Sequence, residues 1–242
     1  MKVQVIGNRG SFLNDVFNAL TKKGFYVIST LSEEFNIIDS VSYVVYVGGE
    51  TRDQERMHEH NVSIPSIILN QCQEKGVSFI YLSSLSVFGW CLDDKVTAKS
   101  TRHPVDVYGI SKLEMDCFAL GSGGERVCAV MPASIHSGRG RSSVEKIIKL
   151  FDNYPILGFF SFPGSLSYIR RDDLIDIIIN CIENNRSGFV IASNNYHLKT
   201  LSRKLSVPIP KFPLIFIRLL AFFIGKKRAL LLKMIIRGNK YI

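Results

Sequence analysis

"KVQVIGNRGSFLNDVFNALTKKG", residues 2–24, decides the fold. Its first six residues alternate apolar and polar and end in Gly7, the pattern of a short strand. Phe12, Leu13, Val16, Phe17 and Leu20 then recur at helical spacing, and Gly24 closes the run. Between them lies "GNRG", a turn with a glycine at each end. Strand, glycine turn and helix in that order read as the first βα unit of a parallel sheet.

The alternation continues outward from there. "FYVIST" (25–30) predicts a second strand and "SYVVYVGG" (42–49) a third, whose β-branched content predicts burial. "SIPSIILNQCQEKG" (63–76) predicts a helix and "VSFIYLSS" (77–84) a strand. A helix around Tyr108 and a strand in "RVCAVMPAS" (126–134) follow. The connections are of helix length, which suits parallel strands. The expected fold is therefore α/β, a Rossmann-type doubly wound parallel sheet with a small, mostly helical C-terminal substrate lobe. Residues 1–135 are expected to form the dinucleotide-binding core. Residues 136–242, with helices in "SSVEKIIKLFDNYP" and "RDDLIDIIINCIEN", are expected to complete the sheet and form the lobe.

Composition narrows the class. A hydrophobic content of 46% with 21% charged residues is that of a globular chain, not a disordered one. Five cysteines, scattered and without C-x-x-C spacing, argue against a zinc site or a disulfide frame. They predict a reducing, cytoplasmic setting. The five histidines make no metal set. Charge is uneven: residues 184–242 hold twelve of the thirty Lys and Arg and no Asp or Glu. No nucleic-acid motif accompanies that charge, so nucleic acid is not an expected partner. The tail from Phe212 is apolar as well as basic, but its apolar run is shorter than the ~20 residues of a spanning helix. Two readings compete: helices of the substrate lobe, or a peripheral contact with the inner membrane face through Lys and Arg.

The turn after the first strand reads as a cofactor loop. Gly7 permits a tight turn, and Gly10 lets a pyrophosphate approach the positive end of the helix. Arg9, Ser11, Phe12 and Leu13 complete that loop, with Leu13 where a third glycine would fall. Gly49 and the next position, Glu50, which close the third strand, are expected beside the same cofactor. Leu31 stands where NAD-type sites carry an acid for the ribose, and Glu33 comes two residues later. Arg9 could meet a 2′-phosphate, which gives NADP(H) a slight preference over NAD(H).

Two further stretches carry chemistry. "YLSSLSVFG" (81–89) ends a strand in serines, and "DVYGISKLE" (106–114) places Tyr108 and Lys112 four apart on one helix face. An ammonium beside a phenol draws its pKa down from about 10. Strand-end serine, Tyr-x-x-x-Lys, "MPASIHSG", "SYIRRDDLIDII" and Asn61 together resemble the extended short-chain dehydrogenase/reductase family, of the NAD-dependent epimerase/dehydratase type, over roughly residues 1 to 200. Within it the likeness is to nucleotide-sugar 4-epimerases and 4-keto reductases of envelope polysaccharide synthesis.

The resemblance implies roles. Ser84, five residues before Gly89, would orient the reacting oxygen. Tyr108 would exchange a proton with the sugar, and Lys112 would hold the nicotinamide ribose. Pro132 would line the cofactor. Ser134, Arg139, Arg141 and Ser142, with Ser84, would hold a nucleotide-linked sugar. A homodimer is a further expectation. Reductase and epimerase fit equally. The alternative is a non-catalytic dinucleotide-binding sensor or scaffold, which Leu13 and the missing second-strand acid favour.

Overall fold

The computed structural model describes residues 1–136 and 143–209 except Trp90, 92–94, Gly123, Ser202 and 204–206. Beyond these it describes residues 219, 223, 225, 228, 232, 233, 235, 236, 240 and 241. Lys2–Gly7 forms β1 and Ser11–Lys22 forms α1. Leu13, Val16 and Leu20 make the buried stripe of that helix, and Gly24, at φ +89°, ends it in a left-handed turn. β2 (Tyr26–Leu31) and β3 (Tyr43–Tyr46) come next.

A helical run then opens at α2 (Gln54–His58), which Asp53 caps by accepting from the backbone N–H groups of Glu55 and Arg56. It passes through a π-helical turn at Glu59–Ser63 into α3 (Ile64–Glu74). β4 (Ser78–Leu82), the short β5 (Lys95–Val96), α4 (Val107–Gly121) and β6 (Val127–Pro132) follow. The second half contains β7 (Ser134–His136), α5 (Ser143–Asn153), β8 (Phe160–Ser161), β9 (Ser165–Arg170) and α6 (Arg171–Glu183). It ends with β10 (Gly188–Ala192), β11 (Asn194–His197), β12 (Val207–Pro208) and β13 (Lys240–Tyr241).

Six strands form one sheet in the order β10–β6–β4–β3–β1–β2. The pairings from β2 through β1, β3 and β4 to β6 are parallel. Every residue of β3 and of β6 is buried, as continuous apolar runs require when both sheet faces are covered. β2 has no fully buried residue, in keeping with an edge strand. One face packs Ile68, Leu69 and Met115 of the helices against Ile6, Val44, Phe79 and Ala129 of the strands. The Rossmann-like architecture expected from the sequence is the one observed.

The chain divides into two compact units. The first comprises Met1–Val87, Val107–Met131 and Asp172–Val190; the second comprises Phe88–Asp106, Pro132–Arg171 and Ile191–Ile242. The second has a three-stranded sheet, β11–β9–β7, with β9 antiparallel to β11 and parallel to β7. Val144, Ile147, Leu166 and Leu198 form its core, with Phe151, Tyr168 and Ile235 packed around them. The described part of the basic tail belongs to this unit. β13 pairs with β5, Ile236 is buried, and buried Lys233 donates to the Cys91 carbonyl at 2.8 Å. Among the described residues no helix is long and apolar enough to cross a membrane.

Candidate active site

β1 pairs with β2 on one side and with β3 on the other, so the strand order reverses between β1 and β3. A crevice opens at the C-terminal ends of strands at such a switch point. Gly7 ends β1 there. A Cβ at Gly7 would lie 2.8 Å from Val47 Cγ2 and 3.5 Å from Leu13 Cδ1, so this turn admits no side chain. Leu13 is itself buried. Gly10 has only the Asn8 carbonyl oxygen near its missing Cβ, at 4.0 Å. Among the described residues no side chain caps α1 at Gly10. Helix N-termini without a side-chain cap suit an anion.

Asn8, inside the glycine turn, braces the strand ends. Its Nδ2 donates to the Gly49 carbonyl at 3.0 Å, and its Oδ1 accepts from Ser32 Oγ at 2.7 Å. Ser32 N–H in turn donates to the Gly7 carbonyl at 3.0 Å. Nothing in the sequence pattern singled out Asn8, because an asparagine in a turn is ordinary. At the edge of this crevice Arg56 Nη2 lies 3.6 Å from Glu33 Oε1, both half-exposed or more. Arg9 and Gly10 are exposed, and the glycine pair after β3 is Gly48–Gly49, followed by Glu50.

α4 brings the candidate catalytic groups to the same unit. Lys112 is 4% exposed, and its Nζ donates to the Leu82 carbonyl at the end of β4, at 2.9 Å. That Nζ lies 5.9 Å from the ring centroid of Tyr108. A Cβ at Gly49 would meet it at 3.4 Å and Asn61 Oδ1 at 3.1 Å. Burial pushes the ammonium down to about 8, and the Asp116 carboxylate one turn further on works in the opposite direction. Tyr108 itself is half-buried.

Asn61 sits in the π-helical turn and is buried. Its Oδ1 accepts from Glu50 N–H at 3.0 Å, and its Nδ2 donates to the Glu50 carbonyl at 2.9 Å and to Ser111 Oγ at 3.0 Å. Asn61 therefore joins the loop after β3 to α4. A π-turn is the local device that sets such a side chain apart from the helical period, and these turns recur at functional sites.

The three serines after β4 face different surroundings. Ser83 Oγ donates to Asp116 Oδ2 at 3.0 Å. Ser84 Oγ accepts from Ser86 N–H at 3.1 Å and from Ser86 Oγ at 2.9 Å. Having accepted twice, the Ser84 hydroxyl has its own hydrogen to give. Asp116 was missed in the sequence reading, although continuing the Tyr108–Lys112 series by four more residues reaches it. Of the remaining candidates, Pro132 ends β6, and Ser134 lies on β7 in the second unit, in register with Tyr168. Arg139, Arg141 and Ser142 lie outside the described residues.

A family model described as the NAD dependent epimerase/dehydratase family matches residues 28–154. Solved structures share the fold at low identity. A dTDP-4-dehydrorhamnose reductase from Clostridium acetobutylicum is 16% identical with a TM-score of 0.65, over 88% of this chain and 86% of that one. A human epimerase family protein solved with NADPH is 15% identical with a TM-score of 0.66, over 100% of this chain and 91% of that one. A UDP-N-acetylglucosamine 4-epimerase from Bacillus cereus is 16% identical with a TM-score of 0.62, over 80% of this chain and 76% of that one.

Proposed function

The chain belongs to the NAD dependent epimerase/dehydratase family, and from that premise we propose that it is an NAD(P)-dependent enzyme acting at C4 of a nucleotide-activated hexose, in envelope polysaccharide synthesis. The observation that carries this reading is the placement of Lys112: a buried ammonium, one turn after Tyr108, hydrogen-bonded to the strand end that leads to Ser84. The residues at the switch point fit a dinucleotide, since Gly7 and Gly49 keep side chains out of the crevice and, among the described residues, no side chain caps the start of α1 there. When bound, a nicotinamide dinucleotide supplies the hydride acceptor and donor.

The chain's own residues divide the remaining work. Ser84 gives its hydrogen to the sugar oxygen and orients it. Tyr108 takes a proton from that oxygen, or returns one, through its Oη. Lys112 holds the ribose and favours the phenolate. Ser134, Arg139, Arg141 and Ser142 are assigned to the nucleotide end of the substrate. A reductase and an epimerase need the same three catalytic residues.

NADP(H) is the cofactor we favour. Arg9 is exposed in the loop, and Glu33, the acid that would repel a 2′-phosphate, is partnered by Arg56. The basic tail is assigned to the substrate lobe rather than to a membrane face, because Lys233 and Ile236 are buried within the second unit. A cytoplasmic setting suits the five free cysteines.

The test is a fluorescence titration of the purified chain with NADPH and NADH in parallel, followed by a screen of UDP- and dTDP-linked hexoses and 4-keto sugars. Saturable binding, tighter for NADPH, with turnover of one such sugar is the expected result. Saturable binding without turnover would favour the non-catalytic sensor. Absence of binding to either at millimolar concentration overturns the reading.

A further inference from the structure

Beneath the candidate site lies a buried carboxyl group. Asp116 is 0% exposed and stands one turn after Lys112 on α4. Tyr81 Oη donates to its Oδ1 at 2.8 Å and Ser83 Oγ to its Oδ2 at 3.0 Å. Tyr81 is on β4, and Ser83 directly precedes Ser84. Each of its two oxygens accepts from a hydroxyl, the arrangement that suits the ionised form. Positions four apart on a helix bring side chains within about 6 Å. In a buried setting the attraction between such charges is weakly screened. Residues 108, 112 and 116 thus set phenol, ammonium and carboxylate on three successive turns of one helix face.

We propose that Asp116 is the internal counter-ion of Lys112, a positioning residue that keeps the ammonium charged where burial would neutralise it. The proposal deepens the functional reading and rests on it for its consequence, because a neutral amine neither favours a phenolate nor holds a ribose as an ion does. The groups facing the pair from other elements are Tyr81 and Ser83 on the β4 side, the Leu82 carbonyl, Asn61 from the π-turn and the Gly49 backbone. Tyr108 faces it from α4 itself. Among these described groups none is a carboxylate, which leaves Asp116, one turn away on the same helix face, as the anion we assign to Lys112. Burial draws the Lys112 ammonium down to about 8 with Asp116 acting against it. Without the carboxylate nothing opposes that burial, and the midpoint falls further.

The experiment is an NMR titration of the chain carrying 13Cε-labelled lysine, with the Lys112 signal identified by its loss in Lys112→Arg. In the wild type Lys112 is expected to titrate near pH 8. In Asp116→Asn the midpoint should fall by about one pH unit or more, a tenfold change in acidity. Tyr81→Phe removes a hydrogen bond from the carboxylate but leaves its charge, and should move the midpoint far less. An unchanged midpoint in Asp116→Asn overturns the proposal. Should that variant not fold, the wild-type Asp116 13Cγ resonance carries the same information. It must shift as Lys112 loses its proton, and a flat resonance across that midpoint overturns the proposal too. Neither readout needs cofactor or sugar, so failure of the functional reading and failure of this pairing are distinguishable.

Discussion

The Lys112 ammonium donates to the Leu82 carbonyl at 2.9 Å, so the middle of α4 is hydrogen-bonded to the last residue of β4. Ser84 follows two residues later. The three candidate catalytic residues are therefore positioned through one buried contact, and perturbing Lys112 should be felt in stability as well as in chemistry.

The stability effect has a definite sign. The folded-state pKa of Lys112 is lowered from 10.5 to about 8. Between those values the unfolded chain binds a proton that the folded chain does not, so this group makes stability rise with pH across that window. The gain is at most about 3 kcal/mol; below pH 8 the cost of burying the charge is present in full. Urea unfolding from pH 7.5 to 10.5 should show that rise in wild type and lose it in Lys112→Met. Parallel curves for the two proteins would contradict the buried, depressed Lys112.

Tyr108→Phe removes one hydroxyl and keeps the ring beside Lys112. Turnover of the cognate sugar should fall by roughly 10²–10⁴-fold, while dinucleotide affinity stays near wild type. In the wild type, activity should decline as pH rises through about 8, where Lys112 discharges. Stopped-flow turnover with matched fluorescence titrations checks both statements. Equal turnover in variant and wild type would end the catalytic assignment.

What was legible in the sequence, and what was not, follows from periodicity. β1, α1, β3, β4 and β6 were legible because buried strands and amphipathic helices repeat at 2 and 3.6 residues. Tyr108 and Lys112 were legible because i and i+4 share a face. Asp116 continues that face, yet a charge on a helix ordinarily reads as solvated; its burial, and its bonds to the hydroxyls of Tyr81 and Ser83, become visible only in the fold. The run from Gln54 to Ser63 was missed because it is polar and its π-turn breaks the period that would reveal a helix. Strands such as β5 and β8, two residues each, carry no periodicity at all.

Gly49→Ala tests the close packing over Lys112. Its new Cβ would stand 3.1 Å from Asn61 Oδ1 and 3.4 Å from Lys112 Nζ. Both atoms are held by hydrogen bonds and have little room to withdraw. Overpacking of this kind costs about 1–3 kcal/mol, and dinucleotide affinity should fall about tenfold or more if Lys112 is displaced by ~1 Å. Gly24→Ala is the control. Its φ of +89° strains an alanine by about 1–2 kcal/mol, yet nothing lies within 4 Å of its Cβ, so affinity should hold. Equal loss of affinity in both variants would mean that general destabilisation, not the Lys112 contact, sets binding.

Asn61→Ala separates the π-turn's structural work from its effect on the site. The substitution removes the partners of Glu50 N–H, Glu50 C=O and Ser111 Oγ together. Each stranded group costs about 1–3 kcal/mol when water cannot replace the bond. Glu50 lies at a surface loop where water can reach part of it, so the total should fall near the low end, about 2 kcal/mol. Hydrogen exchange at the Glu50 amide should accelerate markedly in the variant, while exchange in β1 and β4 changes only by the global loss. If the Glu50 amide stays as protected as in wild type, the Asn61 side chain is not what holds the loop after β3 against α4. Lys112 must then be positioned chiefly through the Leu82 carbonyl.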